Sequence, residues 1–420
     1  MKKGIKAKAL LSAMLGACGM LAACSQAQPP APELTTRDRA ALAQQVDARV
    51  AQATNAFGLE LARRLTEERP GANVIVSPTS LMQALAMTWN GAAGETRAAM
   101  SKTLRLEGGL TADDVNRSER ALTELLQKSS PGVQLMTANS LWLQKGWPFR
   151  KDYLDTMQQS YGAMLKEADL TAPSTRKELN GWVSKKTNGR IPTILDEPVP
   201  SLTKLMLLNA LYMNAAWQTP FNTNATSDAD FTLGDGKVKR VPMMHQTGRF
   251  AYDEEDEYQA VRLPYGEFQL SMLIVLPKPD ADRKKLAERL FADPSFWTKP
   301  FQSFSGELAL PRFRADTALT LGDTLAAMGM GIAFDPKKAD FSAMADTSRD
   351  PLHISKVLHK TYLDVTEKGT EAAAATLVMG AAGSAPPSGK FRMTVDRPFW
   401  VAITDDQVHS LLFVGAVERP

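Results

Sequence analysis

Apolar residues recur at a helical period through the first part of the chain. Between Asp47 and Arg69, Val50, Phe57, Leu61 and Leu65 fall on one helix face. Ser80 to Trp89 and Glu95 to Leu104 predict two shorter helices. Thr111 to Lys128 predicts another, with Thr111 as N-cap and Asp114 three residues on, close to a capping box. Ser174 to Asn188 predicts a helix capped by Ser174 and stopped at Gly189, and Thr317 to Gly329 a further one. Strand patterns lie between and beyond these. Val133 to Leu143 predicts a long strand; Leu205 to Met213 and Phe268 to Leu276 have the nearly continuous apolar character of strands buried on both faces. Leu308, Ala309 and Leu310 lead into Pro311; His359 to Glu367 alternates, with His359, Leu363 and Val365 on one face; Leu411 to Val417 predicts a closing strand. Asp235-Gly236 marks a hairpin turn. Helices first and mixed strands later, without βαβ alternation or internal repeat, predict an α+β fold in one interlocked domain.

The N-terminus reads as a sorting signal. Met1 to Lys8 is basic, Ala9 to Leu21 apolar, and Leu21-Ala22-Ala23-Cys24 follows. The apolar stretch is short and broken by glycine, which disfavours a membrane span. The Leu-Ala-Ala-Cys ending resembles a bacterial lipobox, with Leu15-Gly16-Ala17-Cys18 a weaker second match and plain secretion the alternative. That resemblance implies a signal peptide over 1–23 and a lipidated Cys24, with Ser25 favouring an outer-membrane anchor that faces the periplasm or the exterior. Residues 24–46, polar and proline-rich from Gln26 to Pro32, are expected to form a flexible tether, with 47–420 as the folded domain.

Composition sharpens this reading. With 420 residues, 44% hydrophobic and 23% charged, the chain is an ordinary globular one, which excludes a disordered, collagen-like or polytopic membrane protein. The formal charge of +3 includes four lysines in the first 23 residues; without them the balance is 45 − 46 = −1, and no case for a nucleic-acid partner remains. Only Cys18 and Cys24 are present, so no C-x-x-C exists, and a body without cysteine suits an oxidising compartment. The four histidines form no H-x-x-x-H zinc pair.

The most informative stretch runs from Glu367 to Phe399. After Gly369, the residues Thr370, Ala372, Ala374, Thr376 and Val378 share one parity and are all uncharged. A segment with one small, uncharged face can be buried as a strand, and loop insertion into a sheet is a known mode of strand addition. Alanine is also the best helix former, so Glu371 to Met379 can equally be a helix, or an inert surface loop.

Several motifs, inside this stretch and outside it, decide between these options by resemblance. Glu367-Lys368-Gly369-Thr370-Glu371-Ala372-Ala373-Ala374-Ala375 closely resembles the hinge of the reactive-centre loop of inhibitory serpins. Asn73 to Ser80 (NVIVSPTS) resembles that family's early N-x-x-x-S-P-x-S segment, and Leu208 to Trp217 (LNALYMNAAW) its central strand. His359-Lys360 stands eight residues before Glu367, and Asp396-Arg397-Pro398-Phe399 with Leu412-Phe413-Val414-Gly415 resembles the C-terminal signature. The resemblance covers about residues 47–420; only Trp400, after Pro398-Phe399, departs from the usual smaller residue.

What the resemblance implies is a single serpin domain with a large central mixed sheet, two further sheets, eight or nine helices and an exposed loop over about 367–394. It implies a monomeric, irreversible inhibitor of serine endopeptidases rather than an enzyme, one that needs no cofactor or metal. The hinge would be Glu367, Gly369, Thr370, Glu371 and Ala372 to Ala375. Ser77, Ser80, Asn209 and His359 would form a polar cluster under the sheet. Trp217, Arg312 (where many members have Lys) and Glu367 would surround the loop's entry. Counting fifteen residues from Gly369 puts the cut at Gly383-Ser384, with Ala382-Gly383 the alternative. Small residues there suit an elastase-like or subtilisin-like target, and a papain-like one is a further option. A non-inhibitory serpin, acting as substrate, decoy or binding module, is the first rival. A hydrolase using Ser77 or Ser80 with His359 is the second, but it lacks a G-x-S-x-G elbow.

Overall fold

The helix expected from Asp47 onward runs Ala48–Glu68, with the Asp47 carboxylate accepting from the Arg49 N–H at 2.8 Å and Val50, Phe57, Leu61 and Leu65 buried. The computed structural model describes residues 34–128, 132–267, 270–348, 351–370 and 390–420. Helices Pro78–Gly91 and Gly94–Thr103 follow, and then Ala112–Gln127, whose Thr111 and Asp114 close a reciprocal capping box. Eight helices among the described residues reach eight residues or more.

Two expected elements need correction. The helix Pro173–Lys186 is not capped by Ser174: Ala172 is its N-cap, and Pro173 takes the first helical position, where no N–H is needed. The span Thr317–Gly329 is not one helix. Phe313–Thr320 is a strand with strictly alternating burial, and helix starts only at Gly322. There the two-residue period of Phe313, Ala315, Thr317 and Leu319, paired along Ile354–Thr366, overrides local propensity.

Six strands form a mixed sheet in the order Phe313–Thr320, Ile354–Thr366, Gly369–Thr370, Leu205–Ala216, Val133–Gln144, Met164–Ala168. Alternate residues of its central strands face opposite ways. Met206, Leu208, Ala210 and Tyr212 pack under Leu179 and Val183 of helix Pro173–Lys186. Leu211, Met213, Leu363 and Val365 pack instead on Met272, Ile274, Val401 and Phe413 of a second sheet. Burial on both sides explains the unbroken apolar run of Leu205–Ala216. The strands expected as two further sheets join in one nine-stranded sheet, a path of eight with Ser227–Thr232 branching from it, because the 17-residue strand Val238–Glu254 pairs with Ser227–Thr232, Gln302–Pro311 and Tyr258–Tyr265 along its length. Trp400 is buried in this sheet, edge-on to Phe291 and under the Arg283 guanidinium.

The tether read as flexible to residue 46 is ordered from Leu34. Thr36–Ala43 is a helix, and Leu34, Leu42, Ala43 and Val46 pack on Leu122, Leu125 and Val408. Arg39 is buried, paired with Asp405 and donating to the Leu125 carbonyl at 3.3 Å. Its apolar residues are too few and irregularly spaced to show a helical period, and the buried arginine masks the rest. Cys24 and residues 1–33 lie outside the described residues. Removing one member of a buried ion pair leaves the other without compensation. Arg39→Ala is therefore expected to cost about 3–5 kcal/mol of unfolding free energy, read from urea titration; a loss below ~1 kcal/mol would show that this helix is not docked.

Candidate functional site

The site is a seam in the six-stranded sheet. Strands Leu205–Ala216 and Ile354–Thr366 run parallel and pair directly from Leu205↔Ile354 to Tyr212↔Tyr362. Beyond that point they part, and Gly369–Thr370 enters between them, antiparallel to both: Gly369 faces Ala216 and Thr366, Thr370 faces Ala215 and Val365. Gly369 has φ +141, and a Cβ there would lie 2.1 Å from the Ala215 carbonyl oxygen, so only glycine fits this entry.

The expected entry residues do meet here. The Trp217 indole N–H donates to the Thr366 carbonyl at 2.9 Å, and its main-chain N–H to the Lys368 carbonyl at 3.0 Å. Arg312 Nε donates to both Glu367 carboxylate oxygens, at 2.9 and 3.0 Å, and Nη2 donates to Oε1 at 2.6 Å. The Thr226 hydroxyl donates to the same carboxylate. Burial raises the Glu367 pKa, but the Arg312 and Thr226 bonds outweigh it and hold the carboxyl below its ordinary range. Tyr265 stacks on Trp217 with ring centroids 4.3 Å apart, and its hydroxyl shares a 2.6 Å hydrogen bond with the Thr370 hydroxyl. Tyr265 and Thr226 were not singled out by sequence, and neither carries a pattern that marks it.

The four polar residues expected under the sheet also come together, lower on the same seam. Asn209 and His359 are register partners across it. His359 Nε2 accepts from the Ser77 main-chain N–H at 3.1 Å, so the proton sits on Nδ1 and is donated to Asn209 Oδ1. Asn209 Nδ2 donates to the Ser80 carbonyl at 2.9 Å and to Asn139 Oδ1 at 2.5 Å. Asn139 in turn donates to Gln83 at 3.0 Å. Asn139 was missed, although an asparagine in the middle of the buried strand Val133–Gln144 was a usable signal. The Ser77 hydroxyl is an N-cap, accepting from the Ser80 N–H at 3.2 Å, and makes no bond to His359. A fully buried serine that offers the histidine only its backbone is not a nucleophile poised for hydrolysis. Glu371 to Ala375 and Ala382 to Ser384 lie outside the described residues.

A family model described as serpin (serine protease inhibitor) matches residues 52–420. The chain is a serpin. It is 36% identical to leukocyte elastase inhibitor A of Mus musculus over 383 residues, 88% of this chain and 99% of the relative. It is also 36% identical to an uncharacterized serpin-like protein of Thermococcus kodakarensis, over 88% of this chain and 86% of that one. Among solved structures, the native state of the thermophilic serpin tengpin matches with a TM-score of 0.80 at 29% identity, covering 93% of this chain and 98% of tengpin. The serpin thus groups with proteins named as protease inhibitors, not with catalytic enzymes.

Two predictions arise from the seam. Burial lowers the His359 pKa to about 3, so the imidazole is neutral in the fold. A depressed folded pKa gives stability that is complete above the unfolded value near 6.5 and lost as pH falls toward the folded one. The stability advantage of this serpin over its His359→Gln variant should shrink by about 2–3 kcal/mol between pH 6.5 and 4.5; a constant difference in urea unfolding would contradict a buried neutral histidine. Tyr265→Phe should loosen Thr370 by about 1 kcal/mol, seen as faster hydrogen exchange at Thr370 with the rest of the sheet unchanged; unaltered exchange there would show that the hydroxyl pair does not hold the hinge.

Proposed function

We propose that this serpin is a suicide substrate of a serine endopeptidase, and that the loop after Thr370 becomes a strand of the six-stranded sheet. The observation that carries the reading is Gly369–Thr370, seated between the two seam strands and leading directly into Glu371. The protease serine attacks the carbonyl of Gly383, or of Ala382; the peptide bond breaks, the new amine leaves with a proton, and an ester joins protease to inhibitor. The seam then opens and residues from Thr370 to about Ala381 enter it, a strand on the order of 40 Å long at ~3.3 Å per residue. The small, uncharged parity of Thr370, Ala372, Ala374, Thr376 and Val378 suits rapid entry. The protease is carried along on its ester, and displacement of its catalytic groups stops deacylation.

Small residues at either candidate bond, together with relatives named leukocyte elastase inhibitors, favour an elastase-like target. A subtilisin-like protease is the next choice and a papain-like cysteine protease a third. In this reading the serpin is a monomer. The ending Leu21-Ala22-Ala23-Cys24 supports removal of 1–23 and lipid attachment at Cys24, placing it on a bacterial envelope, most directly the outer membrane. Residues 24–33 are then the tether, and the lipid is its only membrane contact.

The test is a denaturing gel of residues 25–420 with an elastase, a subtilisin, a papain-like enzyme and trypsin, with mass spectrometry of the cut. A band at the summed mass, stable to denaturant, and cleavage at Gly383-Ser384 or Ala382-Gly383 are expected. Thr370→Arg or Ala374→Glu should abolish the band and leave cleaved serpin. Clean cleavage of the unaltered serpin by every protease would favour a substrate or decoy instead.

A further inference from the structure

Helix Ala112–Gln127 turns one carboxyl group inward. Its buried face carries Val115, Asn116, Ser118, Glu119, Leu122, Leu125 and Leu126, and Glu119 is completely inaccessible to solvent. Neither of its carboxylate oxygens makes a well-formed hydrogen bond. The Gln83 amide lies beside the carboxyl and offsets its burial only in part, while the same N–H₂ group donates to the Thr123 hydroxyl at 3.1 Å.

Among the described residues no cation compensates the carboxyl. Helix Pro78–Gly91 and strand Val133–Gln144, which pack on this face, contain no charged residue. Helix Lys151–Tyr161 brings only phenols inward: Tyr161, whose hydroxyl donates to Asn116 at 2.7 Å, and Tyr153, donating to the Met87 carbonyl at 2.9 Å. Arg97 lies beyond Tyr161 with its guanidinium over Trp89 at 4.2 Å. On helix Thr36–Ala43, Arg39 is engaged by Asp405, and on Ala48–Glu68, Arg49 by Asp47 and Asp114. On its own helix, Arg117 and Arg120 are exposed.

Glu119 nevertheless sits at one end of a continuous polar row. Gln83, beside Glu119 and donating to Thr123 through its N–H₂ group, accepts from Asn139 at Oε1; Asn139 accepts from Asn209; Asn209 accepts from His359 across the seam. A strand entering the seam must separate Asn209 from His359, and so shift Asn139 relative to Gln83 at the wall of the Glu119 site.

We propose that Glu119 is a proton-operated latch on the seam: protonated, it keeps helix Ala112–Gln127 seated against Gln83 and the polar row; ionised, it loosens that packing and speeds strand entry. The second half rests on the insertion reading of the function. Burial raises the Glu119 pKa to about 8. A raised folded pKa gives stability that is complete below the unfolded value near 4.5 and lost as pH rises through the folded one. Between pH 6.5 and about 7.5 the unfolded His359 still loses its proton, but that contribution raises stability with pH, opposite to Glu119, and above it His359 adds almost nothing, so a fall in stability from pH 6.5 to 9 that is lost in the Glu119 variants belongs to Glu119.

The experiment follows two quantities in the purified serpin over that range: the urea midpoint, and the rate at which a heat-resistant species forms spontaneously. In the unaltered protein the rate should rise by up to ~tenfold per pH unit, flattening above about 8, as the midpoint falls. Glu119→Gln should show neither slope and should keep the low rate at every pH. Glu119→Leu, which removes the polar group altogether, should be equally flat and guards against a folding defect in the first variant. A slope that survives in both variants, or a flat profile in the unaltered serpin, would overturn the latch. If no heat-resistant species forms at any pH even after the loop has been cut by a protease, the insertion reading fails; if one forms only after cutting, its rate of formation is followed from the cut instead, and in either case the urea midpoints decide whether Glu119 titrates as described.

Discussion

Everything in this serpin depends on how two parallel strands are kept together. Between Leu205 and Tyr212 on one side and Ile354 and Tyr362 on the other, one ladder of main-chain bonds closes the sheet. At its centre a side-chain hydrogen bond, His359 to Asn209, crosses the seam, and the pair is tied to the helix below through Ser77 and Ser80. Those groups are buried without charge, so their hydrogen bonds are strong only while geometry is kept. Above them the wedge Gly369–Thr370 holds the strands apart and is itself held by Tyr265, Trp217 and the ion pair of Glu367 with Arg312. The seam is thus closed below and started above.

Much of this was legible in the sequence because it rests on pattern. Helix Ala48–Glu68 and the capping box at Thr111 follow from periodicity and cap chemistry, and the doubly buried strand Leu205–Ala216 shows in its unbroken apolar run. The polar cluster and entry residues were reached through family motifs, not through physics. What stayed hidden is tertiary. Thr317–Gly329 looks helical until Ile354–Thr366 pairs beside its first residues. Residues 34–46 look like a tether because a docked arginine and irregularly spaced apolar residues leave no period. Tyr265 contributes through one hydroxyl and one stacking face, a role no local pattern encodes.

The two buried titrating groups at the ends of the polar row pull in opposite directions. His359 is held neutral by burial and resists acid; Glu119 is held protonated by burial and resists base. Each disfavours charge for the same reason, the cost of desolvating an ion. Their opposed signs confine the tightest seam to a band of pH between them, without any exposed group taking part.

The orientation of the wedge carries a consequence of its own. Gly369–Thr370 lies antiparallel to both neighbours, whereas those neighbours are parallel to each other. A strand continuing from it would replace one slanted parallel ladder with two perpendicular antiparallel ones, the geometry that is slightly more stable per residue. Each residue that enters brings a donor and an acceptor of its own and gives each flanking strand a new edge to bond. The free energy released by such a transition would then be written largely in the backbone, which explains how a segment that opens on Thr370 and four alanines, Ala372 to Ala375, with little side-chain surface to bury, can suffice as its material.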